Sequence, residues 1–193
     1  MIPFIELLIV FATAFGFGLI PFAGPSTLLV ASNAAVILGA TDAPTLVLVG
    51  FLVAIGSALA KSVHYLVTFV ISNRLSKERQ QRLNADAKIV NRWAFLLLFA
   101  AASTPIPDDP IVIPLGLTKY SPYKFFSAYF LGKLVITVAG AFLGSWVEQT
   151  FSEWLPFEVT IAVSVALTIV ITVVLLKVDL GKLLEKISRR LKR

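Results

Sequence analysis

From residue 44 to residue 72 the chain passes through little but apolar side chains, and from 159 to 176 it does so again with no charge. Runs of that length match the ~20 residues that a helix needs to cross a hydrocarbon core of about 30 Å. No water reaches backbone groups in such a core, so a single spanning segment must satisfy itself as a helix. The whole sequence is 58% hydrophobic and only 15% charged, with a mean hydropathy of +0.88, which sets it apart from ordinary soluble domains. The expected fold class is an all-α polytopic membrane protein. Cysteine is absent, so disulfides and thiolate metal sites are excluded, and one histidine does not make a classical zinc site. No basic stretch precedes the first apolar run and no cleavage site follows it, so no signal peptide is expected. The net charge of +6 gathers beside apolar segments, which fits lipid headgroups better than nucleic acid.

Residues 2–20 read as a first apolar helix with Glu6 near its start, and 21–40 as an apolar stretch broken by Pro21, Gly24 and Pro25. The long helix 44–72 carries Lys61 and His64 well inside it, and a basic segment follows at 73–92. A short apolar limb, 93–102, stops at "STPIPDDPIVIPLG" (103–116), where Pro105, Pro107, Pro110, Pro114 and Gly116 surround the adjacent carboxylates Asp108 and Asp109. A second long helix spans 122–147 and a last transmembrane helix 157–178. In the tail 179–193, leucines and Ile187 recur at helical spacing opposite basic residues, the pattern of an amphipathic helix on a membrane surface. The expected organisation is a single transmembrane domain, 1–178, with a first repeat over about 15–72 and a second over about 93–147. The basic tail 179–193 follows it.

Charge placement orients these segments. Segment 73–92 and the C-terminal tail are strongly basic and should be cytoplasmic, and "TKYSPYK" (118–124) leans the same way. The turn "EQTFSEWLPFE" (148–158) holds three glutamates and no base, which fits the outer side. If 122–147 runs outward, then 93–121 starts and ends in the cytoplasm. Its first limb of ten residues is about 15 Å long as helix, half a membrane. A re-entrant hairpin with "STPIPDDP" at its tip satisfies both facts. Parity in the first half likewise makes 21–40 a hairpin entering from the opposite face, if 2–20 spans outward. Two opposed hairpins form the inverted repeat of a transporter.

The long helices support a repeat, because Leu59-Ala60-Lys61-Ser62-Val63 superposes on Leu131-Gly132-Lys133-Leu134-Val135. Gly50, Ala54, Ser57, Lys61, His64 and Thr68 form a small and polar stripe on one helix, and Lys133, Thr137, Gly140 and Gly144 form one on the other. Such stripes turn towards a protein interior or a wet cavity. Charges near the midplane are expensive and are functional hypotheses by default. The expected substrate- or ion-binding set is therefore Asp108, Asp109, Lys61, Lys133 and His64, with Ser26 and Thr27 from the first hairpin. The competing structural reading makes the aspartates caps for free backbone N–H groups and the lysines their counter-charges. Pro21, Gly24, Pro25, Pro105, Pro107, Pro110, Pro114 and Gly116 are expected to shape the tips. No nucleotide loop and no serine nucleophile with a base is present, so neither an enzyme nor a cofactor is expected.

"GPSTLLVASNA" (24–34), together with "STPIPDDPIVIPLGLTKYSPYKFFSAYFLGKLV" (103–135), resembles the DedA family with its VTT domain, also called SNARE-associated Golgi proteins. The second hairpin is closer to the eukaryotic branch tied to autophagy and lipid scrambling. The resemblance implies two opposed re-entrant hairpins and movement of phospholipid or polyprenyl-phosphate carriers between leaflets. In bacterial members it also implies dependence on proton motive force. This chain departs from the bacterial pattern. Thr27 follows Pro25 and Ser26 where a glutamate is usual, no arginine stands near Pro110, and Lys61 replaces a common aspartate. The expected function is a lipid translocase, scramblase or flippase, in the cell membrane. An ion-coupled carrier of a small solute and a non-transporting membrane scaffold are the alternatives. The partners are membrane lipids and no nucleic acid, with room for protons and for a homo-oligomer.

Overall fold

The computed structural model describes residues 2–21, 24–74, 93–105 and 108–151, with the isolated position 166. The expected helix 157–178, the tail 179–193 and nearly all of the basic segment 73–92 lie outside the described residues. Six helices account for most of the rest: α1 (Phe4–Gly18), α2 (Thr27–Ile37), α3 (Ala43–Ser72), α4 (Trp93–Ala102), α5 (Asp109–Leu117) and α6 (Pro122–Phe151). No strand occurs among the described residues.

Two size classes follow from the sequence. Helices α3 and α6 are 30 residues each, about 45 Å long, and both are long and apolar enough to cross a membrane. The other four are too short to cross alone, at about 13–23 Å. The apolar run 2–20 yields a helix of 15 residues that ends at Gly18. Pro21 explains the stop, because its ring disfavours helical geometry at Ile20 and it offers no N–H. Helix α3 starts sharply, with Asp42 accepting the Thr45 N–H at 3.0 Å and a proline in the first turn.

Contacts set the directions. Val138 meets Gly50 and Phe125 stacks on Tyr65 with ring centroids 4.3 Å apart, so α3 and α6 run antiparallel. Helix α1 runs with α3, since Phe11 and Ala14 meet Gly56 while Gly18 meets Ser57 and Ala60. Helix α2 runs with α6, with Leu28 at Gly140, Ser32 at Gly144, and Ser145 Oγ donating to the Ala40 carbonyl at 2.8 Å. Helix α5 runs with α3, from Asp109 at Lys61 to Gly116 at Tyr65 and Thr68. Helix α4 meets α6 through Phe99 and Ala102 at Gly132. The described residues between these helices, 19–21 with 24–26 and 103–105 with 108, therefore belong to two tips, and residues of both line one cavity part-way along the central pair.

Close backbone approach replaces bulky packing at these crossings, as expected where lipid removes the hydrophobic drive between helices. A Cβ at Gly140 would strike the Leu28 carbonyl, and one at Gly116 would lie 2.8 Å from the Tyr65 carbonyl and overlap Thr68 Oγ1. The small and polar stripes of both long helices form these contacts. Outward-facing positions carry the large apolar groups, Leu66, Val67, Val70, Leu143 and Trp146 among them, while Lys61, Lys133, Asp108 and Asp109 are buried. A water-soluble protein distributes these groups the other way round.

Candidate functional site: a charge chain between two tips

The four buried charges come together at the cavity that residues of both tips line. Lys133 Nζ lies 2.8 Å from Asp108 Oδ2, and Lys61 Nζ lies 3.6 Å from Asp108 Oδ1 and 2.6 Å from Asp109 Oδ1. His64 Nδ1 stands 3.5 Å from the same Asp109 oxygen. The result is an alternating row, Lys133–Asp108–Lys61–Asp109–His64, drawn from α6, the second tip, α5 and α3. Each lysine and aspartate is at most 7% exposed. Buried charges of this kind persist only when paired and hydrogen-bonded, and this row is.

Each group is placed by its local structure. Asp108 occupies the N-cap position of α5 yet makes no capping bond with its side chain. Its carboxylate turns inward instead, where Tyr129 Oη donates to Oδ2 at 2.6 Å. The capping alternative is thus not what the Asp108 side chain does. Asp109 opens the first turn of α5, where the positive end of the helix dipole favours a carboxylate. Lys133 sits one turn after Tyr129 on α6, with Nζ 5.2 Å from the centre of that ring. Tyr129 is a residue that sequence reasoning missed. Its only advance signal was its place four residues before a lysine in an apolar helix.

Between the tips lies a small polar cavity of about 70 Å³, lined by Ser26 and Thr27 on one side, Thr104 and Pro105 on the other, and by Ser57 and the four charges. The hydroxyls of Ser26, Thr27 and Ser57 are buried with no hydrogen-bond partner. Unsatisfied buried donors facing a polar space fit a water or a polar ligand. A second cavity, of about 500 Å³, is apolar and lies between α1 and α2, with Ile9, Leu29, Ile37 and Leu38 among its walls and Asn33 in its lining. Phe17, Pro25 and Val30 belong to both cavities, so the two share a wall.

The remaining expected positions divide by place. Pro21, Gly24 and Pro25 lie in the first tip and Pro105 in the second, while Pro107 lies outside the described residues. Pro110 falls in the first turn of α5, and Pro114 and Gly116 lie within that helix. Gly116 serves the α3–α5 contact and not the turn at the tip. No group of three or more potential metal ligands occurs among the described residues.

An apolar exterior, two helices of membrane-crossing length and an interior row of charges define a helical membrane protein. The family model of the VTT domain matches residues 6–146, and the chain belongs to that family of membrane-associated proteins, broadly linked to transport and scrambling. The match runs from α1 almost to the end of α6 and includes every residue of the charge row. No curated protein and no solved structure matches the chain.

Proposed function

We propose that the chain is a lipid translocase that moves phospholipid or a lipid-linked phosphate between leaflets, a carrier and not an enzyme. One observation carries the reading: a polar cavity holding two ammonium groups and unpaired hydroxyls shares a wall with a much larger apolar one. An amphipathic ligand fits such a pair of spaces, headgroup in one and chain in the other. A phosphate oxygen accepts hydrogen bonds as a carboxylate oxygen does, so it can take the place of Asp108 or Asp109 beside Lys133 or Lys61. Rearranging an existing ion pair avoids stripping an isolated charge of water.

The two short-helix units act on this reading as re-entrant hairpins that dip from opposite faces. Each unit runs helix, tip, helix and tight turn into a 30-residue helix, and the two long helices are antiparallel. That arrangement supports reading the two units as the inverted repeat of an alternating-access carrier. The cytoplasmic side is the end of α3 at Asn73 and the start of α6 at Ser121, in the cell membrane.

The test uses purified protein in liposomes carrying a fluorescent phospholipid, with a membrane-impermeant quencher outside and no ion gradient. Quenching of the inner-leaflet label should proceed past the half-way plateau of protein-free vesicles. Lys133→Met should slow it at least tenfold, the size expected when about 1.4 kcal/mol of headgroup attraction is lost. Movement of polyprenyl phosphate alone would assign the isoprenoid class. Lipid quenching at the protein-free rate for both substrates would overturn the proposal.

A further inference from the structure

The charged side chains that line the polar cavity are two ammonium groups, Lys61 and Lys133, and two carboxylates, Asp108 and Asp109. Their total charge is zero, however protons are shared within the pairs. All four are buried, so bulk water and salt do little to mask a charge added among them. Such a site tolerates an exchange of partners far better than a change in its total.

The Lys133–Asp108 pair shows what an exchange requires. Asp108 Oδ2 lies 2.8 Å from Lys133 Nζ and accepts from Tyr129 Oη at 2.6 Å, while Lys61 Nζ stands 3.6 Å from Oδ1. Lys61 is held more closely by Asp109, at 2.6 Å. A phosphate that takes Lys133 therefore leaves Asp108 with a neutral donor and a cation already engaged. Leaving a buried charge short of its partner in this way is strongly unfavourable. An anionic headgroup brings nothing to correct it. A headgroup with both phosphate and ammonium does, because its phosphate meets Lys133 and its ammonium meets Asp108. One ion pair becomes two, and the total stays zero.

The kind of ammonium matters as well. Asp108 loses a charge-assisted N–H donor when Lys133 turns away, and a primary ammonium replaces it with donors of its own. A quaternary ammonium has no N–H. It offers only its charge and a contact with the Tyr129 ring, beside which Lys133 Nζ lies at 5.2 Å from the centroid. The hydroxyls of Ser26, Thr27 and Ser57, buried without partners on the same cavity, are donors for the remaining phosphate oxygens.

We infer that the charge row selects zwitterionic phosphate headgroups over anionic ones, with a primary ammonium preferred to a quaternary one. The inference rests on the translocase reading and narrows it, from lipid phosphates in general to phosphodiesters that carry an amine.

The quenching assay tests it in vesicles of one fixed composition, with the fluorophore on an acyl chain so that headgroups stay native. Trace phosphatidylethanolamine, phosphatidylcholine, phosphatidylglycerol and phosphatidic acid are compared after subtraction of the protein-free rate. The ethanolamine lipid should move fastest and the choline lipid next, with each anionic lipid at least about tenfold slower than the first. Asp108→Asn keeps an acceptor for Tyr129 and leaves the cavity with excess positive charge. The ratio of ethanolamine to glycerol lipid should then fall at least about tenfold. Asp109→Asn changes the charge equally at a second position and should lower the ratio too, so the result does not hang on one variant folding. Equal wild-type rates for all four lipids, or a ratio that neither aspartate variant moves, would overturn the selection and leave the translocase reading in place. Thermal unfolding in detergent with short-chain forms of the same lipids reads binding alone. Stabilisation in the same order without movement in vesicles would leave the selection standing and overturn the translocase reading. Stabilisation by water-soluble glycerophosphoethanolamine equal to that by the short-chain lipid would overturn lipid as the source of the headgroup.

Discussion

Lys133 and Asp108 face each other at 2.8 Å in a space almost closed to solvent, and the balance of charge there is worth more than either group. Lys133→Met leaves Asp108 with the Tyr129 hydroxyl and with the more distant ammonium of Lys61, at 3.6 Å. Stranding a buried charge in this way should destabilise the fold by about 3 kcal/mol. The neutral pair Lys133→Met with Asp108→Leu should lose clearly less than the single change, because neither partner is stranded. Thermal unfolding in detergent measures both, and a double variant at least as unstable as Lys133→Met alone would contradict the coupling. Tyr129→Phe removes a hydrogen bond to a charged acceptor and should weaken the fold by about 1–3 kcal/mol in the same assay. Both lysines and both aspartates could be picked out from sequence as charges stranded in apolar segments. Which lysine meets which aspartate could not, because the pairs join α3 or α6 to α5, and only packing sets those distances.

Helices α2 and α5 end in the same turn, though no two equivalent positions there share a residue type. In α2, Ala40 N–H bonds the Ala35 carbonyl at 2.9 Å and Gly39 N–H the Val36 carbonyl at 3.0 Å. In α5, Tyr120 N–H bonds Leu115 at 3.0 Å and Lys119 N–H bonds Gly116 at 3.1 Å. Gly39 at φ 56° and Lys119 at φ 54° are the left-handed residues of two Schellman turns. Glycine holds that conformation without strain and lysine does not. Gly39→Ala should therefore destabilise by about 1 kcal/mol and Lys119→Gly should stabilise by up to about 1 kcal/mol, both read from thermal unfolding. The same sign for both changes would contradict this account. Sequence showed the proline-broken tips, since proline acts on its immediate neighbours. It did not show this matched pair of turns, because a lysine in "TKY" carries no mark of positive φ.

Among the described residues, many large apolar groups face outward while Lys61, Lys133, Asp108 and Asp109 are buried, and the central helices α3 and α6 oppose each other. If both cross the membrane, the start of α3 and the start of α6 lie on opposite sides. Single cysteines at Thr41 and Ser121, in a chain with no others, should react with an impermeant maleimide from opposite faces of the membrane. Thr41 should label from outside cells and Ser121 only after lysis. Labelling of both from the same face would contradict the crossing arrangement. The run 2–20, read from sequence as long enough to span, becomes the 15-residue α1 beside α3. Together with α2 it forms a unit of the same element order as α4 and α5.

Sequence alone determined the solvent, the helical class, the two long helices and the identity of the buried charges. Each of these follows from the local cost of placing a polar group or a proline in a hydrocarbon core. Tertiary structure decided that residues of the two tips line one cavity, that Tyr129 joins the charge row and that the His64 ring contacts the Leu19 carbonyl. Those contacts join segments far apart in the chain, and a side chain carries no local sign of the distant acceptor it will face.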